Sequence, residues 1–181
     1  MSEFEEKQIE REEIFDGAVL HVVKDKILLP DGNTSYREFC LHKGAVAVIP
    51  ITANNEAILV RQFRYAHHRE FLEIPAGKLD FIGEIPLDAA KRELKEETGA
   101  TAEKYTHLGV LDTTPALIDE KIHMYMAEGL TFGEMDLDDD EFLSVERIPI
   151  SKLISMVMDG EIRDGKTQIA ILKAAKILGI S

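Results

Sequence analysis

Three closely spaced glutamates on a predicted helix are the strongest chemical feature of the sequence. The segment from Pro86 to Glu97 consists of good helix formers, and Gly99 follows it as a C-terminal cap residue would. At about 100° per residue, Glu93 and Glu97 lie on one face, with Glu96 beside them. Carboxylates on one arc repel each other, so a bound cation is their natural explanation. Oxygen ligands alone favour Mg²⁺ or Mn²⁺.

This segment resembles the signature of a known enzyme family. From Gly77 through Glu84 to Arg92–Gly99, the chain is similar to the Nudix box, Gly-x5-Glu-x7-Arg-Glu-U-x-Glu-Glu-x-Gly-U, in which U is a bulky aliphatic residue. The second half matches position by position, with Ala100 standing in for the last aliphatic residue. Between Gly77 and Glu84 the chain has six residues instead of five, so the loop carries one extra residue. An ordinary solvated, charged helix is the alternative interpretation.

The composition argues against several classes of protein. With 181 residues, of which 45% are hydrophobic and 30% charged, the chain is typical of a globular protein. The net charge of −13 argues against a nucleic-acid partner, and it would repel a free diphosphate unless a cation inverts the local field. The acidic N-terminus and the lack of a long apolar run predict neither a signal peptide nor a membrane span. One cysteine, Cys40, rules out an intrachain disulfide, so we expect a cytoplasmic protein.

Residues 1–42 are predicted to form a separate N-terminal piece. Gly17–Lys24 and Lys26–Pro30 have the pattern of two strands, and Ser35–His42 that of a third. A small antiparallel sheet of this kind is scarcely stable alone. We therefore expect it to pack on the main domain or on another subunit.

Residues 43–181 are predicted to be the main domain, in which strands and helices follow one another. Ala53–Glu56 should form a hairpin turn, and Ser151 should cap a short helix. The Nudix resemblance implies an α/β fold, an α/β/α sandwich with a mixed sheet, beside the small N-terminal antiparallel sheet. The strands are expected at 45–52, 57–64, 71–77, 105–112, 122–128 and 142–148, and the helices at 86–97, 151–158 and 167–178.

Two further segments resemble the ADP-ribose pyrophosphatase subgroup of this family. Pro115 lies sixteen residues after Gly99, and Thr113–Glu120 is similar to the subgroup's Ser-Pro-Gly-x-x-Asp-Glu pattern, with Ala116 replacing the glycine. A turn after a strand is the alternative interpretation of such a proline. By the resemblance, Pro115 belongs to the substrate site.

The second such segment is Arg61–Arg64, which is followed nine residues after Arg64 by Glu73–Gly77. It is similar to the subgroup's Gln-x-Arg strand end and Glu-x-Pro-Ala-Gly stretch. The resemblance implies that Arg64 faces the diphosphate or the terminal ribose, where a planar guanidinium can bind in bidentate fashion. Glu73 is either structural or a polar contact to substrate.

The resemblance implies a reaction and an assembly. The enzyme would hydrolyse the diphosphate bond of ADP-ribose to AMP and ribose 5-phosphate, with Mg²⁺ or Mn²⁺ as its cation. It would be a homodimer whose N-terminal strands exchange between subunits and help to build the adenine pocket. Phe15, Tyr36 and Arg37 are the candidates for stacking on the base.

The same resemblance assigns roles around the box. Glu93, Glu96 and Glu97 would be metal ligands, together with the backbone carbonyl of Ala76. Arg92 would orient the carboxylates. Glu84 could bind the metal through water, but the extra loop residue favours a role in holding the loop.

The general base is expected in the acidic segment 134–141, which precedes a predicted strand. In the subgroup a mobile glutamate in this loop takes a proton from the attacking water. Glu141 is the glutamate nearest the strand and is the preferred candidate. Asp139 and Asp140 are the alternatives, as is a solvated acidic loop without a catalytic role.

Two rival functions remain open at this point. The first is a Nudix hydrolase acting on another nucleoside diphosphate derivative, such as a nucleotide sugar, a dinucleoside polyphosphate or coenzyme A. The second is a sensor that binds a nucleotide without turnover. The intact box glutamates and the lack of a basic DNA-binding helix argue against a sensor.

Overall fold

The computed structural model describes residues 2–137 and 140–181 and divides the chain into two compact units. The first unit comprises the chain up to Lys43 together with residues 112–121. The second comprises residues 44–111 and 122–181. Residues 112–121 belong with the N-terminal strands because the Cys40 N–H donates to the Leu117 carbonyl (2.8 Å) and the Asp119 N–H donates to the Cys40 carbonyl (3.2 Å).

The first unit is built on a three-stranded antiparallel sheet in the order β1 (Lys7–Asp16), β2 (His21–Leu28) and β3 (Thr34–Leu41). The prediction of two strands broken near Asp25 was wrong, because β2 runs through this residue. Asp25 is buried and accepts two hydrogen bonds of 2.7 Å from Arg11 on β1, so its charge is compensated by the neighbouring strand. The sequence did not predict β1, whose register shifts twice and interrupts any period-two pattern.

The second unit contains two sheets, which confirms the expected α/β class with a mixed sheet. Its strands are β4 (Ala45–Pro50), β5 (Glu56–Arg64), β6 (Arg69–Glu73), β7 (Ala76–Lys78), β8 (Ala100–Asp112), β9 (Lys121–Phe132) and β10 (Leu143–Pro149), and its helices are α1 (Pro86–Thr98), α2 (Ile150–Met158) and α3 (Gly165–Leu178). The first sheet has the order β7-β4-β9-β8, with β4 parallel to β9 and antiparallel to β7. The second sheet is antiparallel, in the order β10-β5-β6.

Strand β4 lies at the centre of this unit and is buried on both faces. Val46 and Val48 belong to one core cluster, which includes Leu94 of α1. Ala47 and Ile49 belong to the other cluster, which includes residues of α2 and α3. Successive side chains of a strand point to opposite faces, so β4 separates a layer containing α1 from a layer containing α2 and α3.

Three local predictions were wrong. The expected strand 71–77 is two strands in different sheets, because Pro75 has no N–H for a ladder and interrupts the run. Ser151 is not a cap, since α2 begins at Ile150 directly after Pro149. The turn at 53–56 does not join two paired strands, because β4 and β5 lie in different sheets; beside the turn there is an isolated antiparallel bridge between Ile51, which follows β4, and Ala57. Within the described ranges no helix is long and apolar enough to cross a membrane.

Candidate active site

Helix α1 carries the box glutamates and is fixed at both ends. Pro86 occupies its first turn, and Gly99 ends it in the left-handed region at φ +67°, with its N–H donating to the Lys95 carbonyl. Leu94 is fully buried. On the neighbouring face Glu93 and Glu97 are 9% and 3% exposed, which is unusual for charged side chains. Two carboxylates are therefore held where water reaches them poorly.

Strand β7 packs against α1 at these two glutamates. The Ala76 N–H donates to a carboxylate oxygen of Glu97 at 3.2 Å. A β-carbon on Gly77 would come within 2.1 Å of the Glu93 carboxylate, so only glycine allows this approach. The first glycine of the box therefore makes room for the first glutamate of the helix.

Burial, together with neighbouring negative charges, raises the pKa of both carboxylates. Burial raises the pKa of Glu93 to about 7, against the opposing charge of Arg92. Burial and the charge of Glu93 raise the pKa of Glu97 to about 8. The charge of Glu141 contributes to both increases. Two buried acids of this kind are poorly compensated by the protein alone.

Arg92 connects the helix to the box loop. Its Nη1 donates to Glu93 at 2.7 Å and to Glu96 at 3.1 Å. Its Nη2 donates to the Lys78 carbonyl at 3.3 Å and lies 3.7 Å from the Glu84 carboxylate. Its Nε is buried and has no hydrogen-bond partner among the described residues.

The extra loop residue is accommodated in an exposed turn. The Glu84 N–H donates to the Phe81 carbonyl at 3.2 Å, and Gly83 has φ +95°. The side chain of Ile82 is 86% exposed. Glu84 still accepts a 2.7 Å hydrogen bond from the Asp80 N–H, so its carboxylate lies against the loop.

The donor set suits a hard divalent cation, although the side chains do not form a ligand shell as they stand. Among the described residues, no three His, Cys, Asp or Glu side chains converge as metal ligands. The Nη1 group of Arg92 lies between Glu93 and Glu96 and donates to both carboxylates. The oxygen-only set, and the raised pKa values that a cation would lower, both fit Mg²⁺ or Mn²⁺.

A second charged group lies within electrostatic reach of the helix. Arg64 donates from Nε and Nη2 to the two oxygens of Glu73, at 2.7 and 2.8 Å. Its charge acts to lower the pKa of Glu97, against the larger increase that burial causes. The Nη1 group of Arg64 makes no hydrogen bond within the residues that the structure describes, so it can donate to an anion.

Lys166 is a member of this group that sequence reasoning missed. Its Nζ donates, at 2.5 Å, to the Glu73 oxygen that also accepts from Arg64 Nη2. Burial acts to raise the pKa of Glu73, but Arg64 and Lys166 outweigh it and lower the pKa to about 2. Lys166 lies 93 positions from Glu73, and no local pattern in the sequence connects them.

The acidic segment 134–141 follows β9, and its start is hydrogen-bonded to the C-terminal end of α1. The Gly133 N–H donates to the Gly99 carbonyl (2.7 Å), and the Asp136 N–H donates to the Glu96 carbonyl (3.0 Å). Glu141 is exposed, and its charge acts on both buried glutamates. Asp140 is an exposed turn residue, whereas Asp139 lies outside the described residues.

The remaining predicted site residues belong to the first unit. Pro115 lies in a turn in which the Leu117 N–H donates to the Thr114 carbonyl at 2.9 Å. Arg37 is paired with Glu6 on the exposed face of β3. Phe15 and Tyr36 are also exposed.

Comparison with known proteins agrees with this geometry. The family model described as NUDIX domain matches residues 41–168. ADP-ribose pyrophosphatase of Bacillus subtilis (strain 168) is 42% identical over 173 residues, covering 94% of this chain and 93% of that protein. Methanol dehydrogenase activator of Bacillus methanolicus is 43% identical over 170 residues, covering 93% and 91%. A solved structure described as an ADP compounds hydrolase superposes with a TM-score of 0.85 at 23% identity, covering 99% and 97%, which shows a shared fold.

Proposed function

Because the chain belongs to the Nudix hydrolase family, we propose that it cleaves the diphosphate bond of ADP-ribose, giving AMP and ribose 5-phosphate. The observation that carries the proposal is the buried pair Glu93 and Glu97, with Glu93 held against Gly77 and the charge of Arg64 acting on Glu97. A site of two poorly compensated acids beside an available guanidinium is suited to a metal-bound diphosphate. The relative that is an ADP-ribose pyrophosphatase favours this substrate.

Glu93, Glu96 and Glu97 would hold the cation, with the backbone carbonyl of Ala76 as a further ligand. When bound, Mg²⁺ or Mn²⁺ neutralises diphosphate oxygens and increases the acidity of a water. Arg92 orients Glu93 and Glu96 through its two hydrogen bonds. Glu84 holds the loop, because it accepts from the Asp80 N–H.

Arg64 binds the substrate. Its Nε and Nη2 are engaged by Glu73, which leaves the Nη1 edge for the diphosphate or the terminal ribose. Glu73 therefore acts through Arg64 rather than by direct contact. A guanidinium fixed on one edge loses little side-chain entropy when the other edge binds an oxygen anion.

Glu141 takes the proton from the attacking water. Its charge contributes to the raised pKa values of both buried glutamates, which supports a role for Glu141 in the same site. The segment before it is fixed to α1 by the hydrogen bonds of Gly133 and Asp136, while Glu141 itself is exposed. Asp139 and Asp140 are the alternative bases.

The active enzyme is a cytoplasmic homodimer joined through the first unit. Strand β1 is an edge strand, exposed along its whole length, with Ile9, Ile14 and Phe15 facing solvent. An unpaired edge with apolar side chains favours pairing with another chain. Within the first unit, Pro115 and Arg37 are the substrate-binding residues of this proposal.

The test is incubation with ADP-ribose and Mg²⁺, followed by chromatography for AMP and ribose 5-phosphate. GDP-mannose, diadenosine tetraphosphate and coenzyme A serve as competing substrates. The proposal requires kcat/KM to be highest for ADP-ribose. A higher kcat/KM for another diphosphate would reassign the substrate within the family.

A second candidate function is suggested by the 43% identity to a methanol dehydrogenase activator. The chain would then increase the turnover of a dehydrogenase. The rate of methanol oxidation by methanol dehydrogenase should be measured with and without the protein. An increase with the wild type but not with Glu97→Gln would tie activation to hydrolysis, and no increase would reject this role.

A further inference from the structure

We propose that Lys166 is a positioning residue that fixes Glu73, and through Glu73 the guanidinium of Arg64, in the orientation that receives the diphosphate. The inference deepens the proposed function and rests on it. It concerns a residue of α3, outside the box and outside the segments that resemble the subgroup.

The contacts around Glu73 leave its carboxylate little freedom. Its side chain is 3% exposed. One oxygen accepts from Arg64 Nε at 2.7 Å, while the other is shared between Arg64 Nη2 at 2.8 Å and Lys166 Nζ at 2.5 Å. A carboxylate that is held from two sides presents its partner in one geometry.

Residues at the start of α3 also fix the position of Lys166. Lys166 Nζ lies 3.1 Å from Asp164, the N-cap residue, which also accepts from the Thr167 N–H at 2.9 Å. The Thr167 hydroxyl oxygen accepts from the Ile74 N–H at 2.9 Å. The first turn of α3 thus contacts two consecutive residues: Lys166 binds Glu73, and Thr167 binds Ile74. Together these contacts form one connected network.

Charge explains why a second cation is useful here. A buried carboxylate with a single ionic partner is costly to keep ionised and can turn together with that partner, so a second cation helps to fix Glu73 in one place. Lys166, whose side chain is 12% exposed, neutralises part of that carboxylate. Arg64, whose side chain is 41% exposed, is then held by Glu73 and still presents positive charge on its Nη1 edge.

The alternative is that Lys166 only attaches α3 to the sheet. The two roles differ in what they predict for Arg64. An attachment would change stability and leave the order of the Arg64 guanidinium intact. A positioning role requires that the loss of Lys166 release the guanidinium in a protein that is still folded.

The first experiment measures Arg64 directly and needs no substrate. In ¹⁵N-labelled protein, the Nε–H of Arg64 should give a slowly exchanging NMR signal, assigned by its loss in Arg64→Lys. Lys166→Met should abolish or broaden that signal, whereas Lys166→Arg should retain it. Lys173→Met is the matched control, because this lysine of the same helix donates to the Leu108 carbonyl instead. Persistence of a sharp signal in Lys166→Met would overturn the inference.

The second experiment is a double-mutant cycle in ADP-ribose hydrolysis. Lys166→Met should lower kcat/KM about tenfold, mainly through KM, with recovery to within about threefold in Lys166→Arg. In the Arg64→Ala background the same substitution should cost less than about twofold. Equal losses in both backgrounds would show that Lys166 does not act through Arg64. If Lys166→Met does not fold, Lys166→Gln is used in both experiments.

The two experiments separate the two claims. Wild-type protein without ADP-ribose hydrolysis would refute the proposed function, and the NMR signal alone would then decide whether Lys166 orders Arg64. Hydrolysis by the wild type, together with an unchanged signal in Lys166→Met, would refute the inference and leave the function standing.

Discussion

The carboxylate of Glu93 lies over the α-carbon of Gly77, at a distance where even a methyl group on that carbon would come within 2.1 Å. These residues are sixteen positions apart, and the contact joins β7 to α1. It gives the first glycine of the box a steric role in placing a carboxylate. The first glycine of the box is therefore required by the close approach of strand β7 to helix α1.

Gly77→Ala should lower kcat about 100-fold or more, because the methyl group displaces the Glu93 carboxylate from its place. Circular dichroism should show an unchanged secondary structure. Gly165→Ala is the matched control, since an added β-carbon there meets nothing within 4 Å. Gly77→Ala with wild-type kcat would refute the steric role.

Glu97→Gln should lower the rate of ADP-ribose hydrolysis about 1000-fold while the protein folds normally. The amide keeps the shape of the side chain but cannot supply the charge that binds a cation. Steady-state kinetics at saturating Mg²⁺ measures the effect. Retention of more than about a tenth of the wild-type rate would exclude Glu97 as a metal ligand.

Metal-free protein should lose stability as the pH rises from about 5 to 8. The folded protein raises the pKa of Glu93 to about 7 and of Glu97 to about 8 from an ordinary 4.5, so it binds more protons than the unfolded chain in this range. Stability therefore falls with rising pH. Thermal unfolding across this range should show a decreasing Tm, and Mg²⁺ should restore more stability at pH 8 than at pH 5. A Tm that rises with pH throughout would contradict the assignment.

Glu141→Gln should lower kcat about 100-fold, and the concentration of Mg²⁺ that gives half-maximal rate should change little. The reason is that Glu141 acts on the attacking water and the box glutamates hold the cation. Asp140→Asn and Asp139→Asn are the comparison variants. A fully active Glu141→Gln beside an inactive aspartate variant would move the base within the loop.

Light scattering should give twice the mass of a single chain at assay concentration. Replacing Ile9 and Ile14 of β1 by lysine should shift the protein towards the monomer and reduce kcat/KM, because it places charge on the exposed edge strand. A stable monomer with full activity would exclude the dimer as the functional unit.

The sequence predicted the parts of the molecule whose causes are local. The helix formers between Pro86 and Glu97, with Gly99 as the cap, specify α1, and all of these residues lie in the helix itself or directly after it. Strand β1 lacks such a signal, because two register shifts break its alternation and its charges are explained only by partners such as Asp25. Lys166 is a long-range case, since its role depends on α3 folding back against β6.

The turn between Phe81 and Gly83 shows that the contacts of the box residues do not depend on the exact number of residues in the box loop. One additional residue changes the path of an exposed turn, while the side chain of Glu84 still reaches the Asp80 N–H and Arg92. The length of this loop can therefore vary, whereas the positions of the first box glycine and of the box carboxylates must be kept. A pattern search that demands five residues at this point would discard the present chain. A search that lets the turn vary and keeps the helix spacing would find it, together with any relative that carries the same insertion.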